Sequence, residues 1–234
     1  MCVNIKGEKV DIKYIVLICI AAYLVGSVNF ATLIARLNSK DIKKMGSGNP
    51  GTMNVLRTMG KKWGILTFLL DSLKGVGFAL IGRYLINGVD NYPMAILLGA
   101  CVILGHVFPI FDKFRGGKGV ATTIGVFVTI SPIVGSVTLV VLVLMLLFLK
   151  YGFIGSLITV TAFAVNAIIL CQNSVWAIVI ICVWWALVVF AHRGNIIRLI
   201  KGEENTLNIL KKKEDLDESE KTEEESKEEE TKWN

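Results

Sequence analysis

Long apolar runs separated by short polar segments dominate this chain. The runs lie at about 13–37, 63–86, 93–111, 120–131, 133–149, 151–170 and 174–191, and several approach the ~20 residues a helix needs to cross hydrocarbon. The pattern predicts an all-α polytopic membrane protein of about seven transmembrane helices. The first run extends from about Tyr14 to Leu37 and contains Gly26, Ser27 and Asn29. It exceeds the roughly 7–15 residues of a signal-peptide core, so a retained first span is expected.

Residues 120–149 form one apolar stretch broken only by Ser131-Pro132. A helix interrupted there makes two short crossings, whereas a tilted or kinked continuous helix makes one. Cations favour two. With the N-terminus outside, Lys40, Lys43, Lys44, Arg57, Lys61, Lys62, Lys113, Arg115, Lys118, Lys150, Arg193, Arg198 and Lys201 then all fall inside. Arg83 alone remains in an outer loop, with Lys6, Lys9 and Lys13 in the N-terminal tail. A single crossing would carry Lys150 and the 192–201 segment outside and weaken the bias.

Composition agrees with a membrane body: 53% of residues are hydrophobic and the mean hydropathy is +0.61. The net charge of +6 conceals a division, since residues 1–202 hold 19 Lys or Arg against 6 Asp or Glu, and 203–234 hold 6 against 13. Residues 1–204 are therefore expected to form the membrane-embedded domain and 205–234 a charged cytoplasmic tail, disordered from about Lys211. Cys2, Cys19, Cys101, Cys171 and Cys182 are scattered without ligand spacing, which implies no metal and no disulfide framework.

Under this topology three polar segments share the cytoplasmic face. GSGNPGTMNVLRTMG, residues 46–60, combines glycine freedom and short polar groups with Arg57, whose planar fork suits phosphate. Within GHVFPIFDKFRGGKGVAT, residues 105–122, amides freed by Gly116, Gly117 and Gly119 beside Lys118 make a candidate anion cradle. This GGKG lacks the GxxxxGK[ST] spacing of a nucleotide-hydrolysing loop. In HRGNIIRLIKGEE, residues 192–204, helical continuation puts His192, Asn195 and Arg198 near one face. An interfacial anchor accounts for Arg193, Arg198 and Lys201 but explains His192 and Asn195 poorly. Asp71 and Lys74 lie three apart inside the second span, where a mutual ion pair is expected first and a place in the site second. His106 precedes Asp112 by six residues, not the five of the HxxxxD pair of soluble-domain glycerolipid acyltransferases, so no dyad is read there.

The three segments, in this order and spacing, resemble the acyl-phosphate:glycerol-3-phosphate acyltransferases, the PlsY family, from about Tyr14 to Glu204. The resemblance implies a seven-helix bundle in a bacterial plasma membrane, N-terminus outside and C-terminus cytoplasmic. It implies transfer of an acyl group from acyl phosphate to the 1-hydroxyl of glycerol 3-phosphate, giving lysophosphatidic acid and phosphate, with no cofactor. Implied partners are the two substrates, membrane lipids and the soluble enzyme that makes acyl phosphate, and no nucleic acid. Ser47, Gly48, Asn49, Gly51, Asn54 and Arg57 match the first family motif, and Gly116, Gly117, Lys118 and Gly119 match its glycerol 3-phosphate cradle. His192 and Asn195 match the polar pair of the third, whose glutamate, Glu204 here, looks structural. The resemblance thus names Ser47, Arg57, Lys118, His192 and Asn195 as catalytic and the remaining motif residues, Asn54 included, as substrate-binding.

Three places depart from the family pattern: GSVNFA stands for GSIPFG, Gly51-Thr52-Met53-Asn54 for GATN, and Phe153 where serine is frequent. They spare the charged groups and bear on the acyl groove, and a specialised low-activity paralogue stays open. A transporter of a phosphorylated metabolite is the rival reading, against which stand the absence of an internal repeat and the gathering of polar motifs at one face. A non-catalytic scaffold leaves the glycine-rich anion loops without a purpose.

Overall fold

A computed structural model describes residues 2–5, 8–86, 91–149 and 151–206. A short antiparallel hairpin, β1 (Cys2–Ile5) and β2 (Glu8–Asp11), leads into the helices. Asp11 caps α1 (Ile12–Gly26) by accepting the Lys13 amide. The first apolar run is not one helix: it breaks at Ser27–Asn29, and Asn29 Oδ1 accepts the Thr32 N–H at 2.8 Å to start α2 (Phe30–Leu37). An asparagine whose side chain mimics a backbone acceptor is suited to that restart.

The other helices are α3 (Thr52–Met59), α4 (Lys61–Leu80, extended by a π turn at Ile81–Leu85), α5 (Tyr92–Val107), α6 (Val120–Ile130), α7 (Pro132–Phe148), α8 (Gly152–Leu170), α9 (Val175–Ala191) and α10 (Arg193–Ile200). Among the described residues, four stretches are long and apolar enough to cross a membrane alone: Ile12–Leu37, Lys61–Tyr84, Tyr92–Asp112 and Gly152–Leu170. A fifth exists if α9 and α10, bent by 44°, are taken together. The protein is a multi-pass helical membrane protein.

The stretch from 120 to 149 does break at Ser131-Pro132. Proline can begin a helix but cannot donate into the preceding one. α7 turns back onto α6, so that a methyl group at Gly135 would lie 2.7 Å from Val128 Cα. The two arms are shorter than a span. α6, with 11 residues, is about 16 Å long, half the hydrocarbon thickness.

α6 is nonetheless the centre of the molecule. Thr122 through Phe127 are all buried, and Phe127 stacks on Phe163 of α8 and Trp184 of α9 at centroid distances of 4.5 and 5.1 Å. Against α4 the packing is backbone to backbone: Gly75 faces the Thr122 carbonyl and Gly125 the Ser72 carbonyl, with no room for a methyl at either. Small residues allow this approach, which lipid-immersed helices use in place of hydrophobic burial. At the far end of α6, Arg83 hydrogen-bonds the Thr129 and Ile130 carbonyls and lies over the Tyr84 and Tyr92 rings at 4.9 and 5.2 Å. A cation there matches the negative pole of the helix.

Candidate active site

A cavity opens where all three polar segments meet. Its polar lining includes Ser47, Asn49, Arg57, Lys118, His192 and Asn195, and its apolar lining Phe68, Ile124, Leu142, Leu146 and Phe153. Three helix N-termini face it: Gly51 to Met53 at α3, Gly119 to Ala121 at α6, and Gly152 and Phe153 at α8. Helix N-termini present unpaired amides and positive potential, so their convergence favours an anion.

The first loop is built around Asn54. Its Oδ1 accepts the Ser47 N–H at 3.0 Å, and its Nδ2 donates to the Ile42 and Met45 carbonyls at 3.2 and 2.8 Å. Asn54 is 1% exposed and its amide is committed to the loop. It lines the cavity and shapes the loop that carries Ser47. Gly48 adopts φ +69°, a left-handed turn that favours glycine. Thr52 was not singled out from the sequence, yet its Oγ1 is buried on the cavity wall without a partner among the described residues.

The GGKG loop differs from expectation. The Gly116 and Gly117 amides donate to the Val107 and His106 carbonyls at 3.2 and 3.1 Å, so they seat the loop on the end of α5. Side chains are excluded at both positions, at Gly117 by the His106 ring. The part of this segment that lines the cavity is the start of α6, where Gly119, at φ +80°, turns the chain and Val120 and Ala121 follow.

Lys118 reaches across to Asn195 Oδ1. Asn195 Nδ2 donates to Glu204 Oε1 at 2.6 Å, and Arg198 Nε donates to Glu204 Oε2 at 2.9 Å. The spacing of three in the last segment thus places His192 at the cavity, Asn195 on Lys118 and Arg198 on Glu204. Glu204 is a positioning group. Burial, Arg198 and Arg57 lower the Lys118 pKa to about 8, with Glu204 opposing them. Burial, the larger cause, and Arg198 lower that of Arg57, Glu204 again opposing, and a guanidinium stays charged regardless. His192 is 2% exposed, and its Nδ1 lies 2.8 Å from the Val188 carbonyl. The proton therefore sits on Nδ1 and a lone pair on Nε2 when the ring is neutral. Phe153 stacks near it at 6.5 Å, where a serine would have been small and polar.

The expected Asp71–Lys74 ion pair is present at 2.7 Å. Asp71 and His106 additionally line the cavity, a place that sequence spacing alone did not assign to His106. Asp112 pairs with Lys43 at 2.7 Å, not with His106, in keeping with the absence of a dyad. Among the described residues no group of three or more His, Cys, Asp or Glu is placed to hold a metal.

Residues 16–202 match the family model described as glycerol-3-phosphate acyltransferase. The glycerol-3-phosphate acyltransferase of Thermoanaerobacter pseudethanolicus is 42% identical over 196 residues, covering 83% of this chain and 96% of that one. The protein of that name from Clostridioides difficile is 37% identical over 199 residues, covering 84% and 97%. Among solved structures, the crystal structure of PlsY, an integral membrane glycerol 3-phosphate acyltransferase, matches in its glycerol 3-phosphate form with a TM-score of 0.75 and 35% identity, over 82% of this chain and 95% of that one. Its lysophosphatidic acid form matches with a TM-score of 0.73.

Proposed function

Because the chain belongs to the glycerol-3-phosphate acyltransferase family, we propose that it transfers an acyl group from acyl phosphate to the 1-hydroxyl of glycerol 3-phosphate. The observation that carries this reading is a single cavity lined both by cations and helix N-termini and by hydrocarbon side chains. The acceptor's phosphate is held by Lys118, Arg57 and the first amides of α6, with Ser47 and Asn49 alongside. The acyl chain lies against Phe68, Ile124, Leu142 and Leu146.

In the reaction the acceptor hydroxyl oxygen forms a bond to the acyl carbonyl carbon, and the carbon–oxygen bond to phosphate breaks. Inorganic phosphate leaves with the electron pair. The hydroxyl proton passes to His192 Nε2 or to a phosphate oxygen of the substrate. A mixed anhydride is already activated, so the site's task is to align the reactants and to stabilise the oxyanion and departing phosphate. Arg57, Lys118 and His192 supply that electrostatic work, and Asn195 acts through Lys118. Gly48, Gly51, Gly116, Gly117 and Gly119 give the loops their shape. Transfer is direct, without an acyl-enzyme.

In the cell we place the protein in a bacterial plasma membrane, with the three motif segments and the C-terminus on the cytoplasmic side. The donor arrives from the soluble enzyme that makes acyl phosphate and enters from the lipid, while glycerol 3-phosphate enters from water. Lys150 and the acidic tail from residue 207 lie outside the described residues.

Detergent-solubilised protein given acyl phosphate and glycerol 3-phosphate is expected to form lysophosphatidate and phosphate in equal amounts, and acyl-coenzyme A to serve poorly. Protein that makes no product when solubilised, but moves a phosphorylated metabolite across sealed vesicles once reconstituted, would establish transport instead.

A further inference from the structure

Beside the cations of the cavity lies a second group of ionisable side chains, of which Asp71 and His106 also touch the cavity lining. Asp71 and Lys74 of α4 and His106 in the last turn of α5 are 1%, 6% and 3% exposed. Ionisable groups at such depth are costly unless they satisfy one another, and they are kept where they serve a purpose. Lys74 Nζ lies 2.7 Å from Asp71 Oδ1 and 2.9 Å from His106 Nδ1, and donates to the Gly26 and Val28 carbonyls, each at 3.1 Å. Asp71 Oδ1 is also 3.3 Å from His106 Nδ1. An ammonium has three protons. Two carbonyls engage two of them, and the third lies within reach of both His106 Nδ1 and the Asp71 carboxylate.

The partners at the two ends of this cluster matter most. Gly26 and Val28 flank the break between α1 and α2, where carbonyls lose their helical donors. The next residue, Asn29, donates from Nδ2 to the Pro50 carbonyl at 3.1 Å, within the loop that carries Ser47 and Asn49. At the other end, the His106 carbonyl accepts the Gly117 amide at 3.1 Å, and the His106 ring occupies the space that any side chain at Gly117 would need. Lys118 follows directly. An unbroken run of contacts therefore joins Pro50, Asn29, Val28, Lys74, Asp71, His106, Gly117 and Lys118, leading from one anion-binding loop to the other.

Building on the proposed acyl transfer, we infer that the buried Asp71–Lys74–His106 cluster is a positioning unit that sets the distance between the first motif loop and the GGKG loop, so that one phosphate meets Arg57 and Lys118 together. The three side chains act through the loops they hold. A glycine loop and a Gly-Ser-Asn loop are intrinsically free to shift, and a misplacement of about 1 Å costs on the order of a hundredfold in rate. A buried charge centre fixes both at the single point where α1, α4 and α5 come together.

The test compares wild type with Asp71→Asn/Lys74→Met, which removes both charges and leaves neither unpaired, and with Asn29→Ala, which breaks the link to Pro50 together with the α2 cap on the Thr32 amide. Measured quantities are both KM values, kcat, the thermal inactivation midpoint, and calorimetric binding of glycerol 3-phosphate without donor. The double variant is expected to raise KM and Kd for glycerol 3-phosphate about tenfold or more, with the KM for acyl phosphate within about twofold of wild type. Asn29→Ala is expected to shift the same constants in the same direction by about threefold. A folded double variant that is less heat-stable but keeps its affinity for glycerol 3-phosphate would overturn the inference. Should it not fold, an unchanged Kd in Asn29→Ala would overturn it equally. Wild type that forms no lysophosphatidate rejects the acyl-transfer reading alone, and the calorimetric comparison then decides the positioning role by itself.

Discussion

At Lys118 a half-buried ammonium stands near Arg57 and Arg198 with Glu204 opposing them, and its pKa falls to about 8. The depression means that the positive charge is complete below that pH and is lost as pH rises through it. The kcat/KM for glycerol 3-phosphate is therefore expected to decline above about pH 8, and Lys118→Arg, whose charge persists, to move that decline to higher pH in whatever activity it retains. Lys118→Met is expected to lower kcat/KM by about 10²–10³-fold at pH 7. A pH profile flat to 9.5 in wild type would detach Lys118 from the phosphate. At this scale much was legible: cations and an isolated histidine in a membrane chain demand a reason, and Arg57, Lys118, His192 and Asn195 all reach one cavity. The glycines were misjudged in detail, because sequence says that Gly117 needs room but not whether a ligand or the His106 ring takes it. Thr52 stood out only as a departure from the family's GATN, which says nothing of where its hydroxyl lies.

Among the elements, α6 is the one on which the site depends most. Its first turn lines the cavity, its middle is locked by Phe127 between Phe163 and Trp184, and Arg83 holds its end. Phe127→Ala removes the stacking and opens a void, and is expected to cost about 3–5 kcal/mol of stability. The readout is a thermal inactivation midpoint well below that of wild type, while the KM for glycerol 3-phosphate in the cold stays within about threefold. A collapse of affinity at full stability would mean that the stack serves the ligand instead. The break at Ser131-Pro132 could be foreseen because proline cannot continue a helix without losing a hydrogen bond. The break at Ser27–Asn29 could not: α1 and α2 are both apolar, and only the Asn29 cap and the Lys74 contacts reveal why the chain stops and restarts there. Apolar content likewise marks α6 as buried without disclosing that protein, not lipid, surrounds it.

For the whole molecule, hydropathy was sufficient for the class and the order of helices, and charge placement sufficed to gather three segments at one end. Neither foretold that one cavity would be lined by both cations and hydrocarbon. That combination has a kinetic consequence. In the proposed reaction one reactant is counted per volume of water and the other per area of lipid, so the rate is expected to follow the donor's mole fraction in its micelle or bilayer and not its bulk concentration. Adding detergent at constant donor, acceptor and protein is expected to slow the reaction roughly in proportion to the dilution of the apolar phase, and raising glycerol 3-phosphate is not expected to restore it. A rate indifferent to detergent would mean that the donor reaches the cavity through water. The lipid product is formed where it is already at home, and its release into the bilayer needs no passage of its hydrocarbon chain through an aqueous phase.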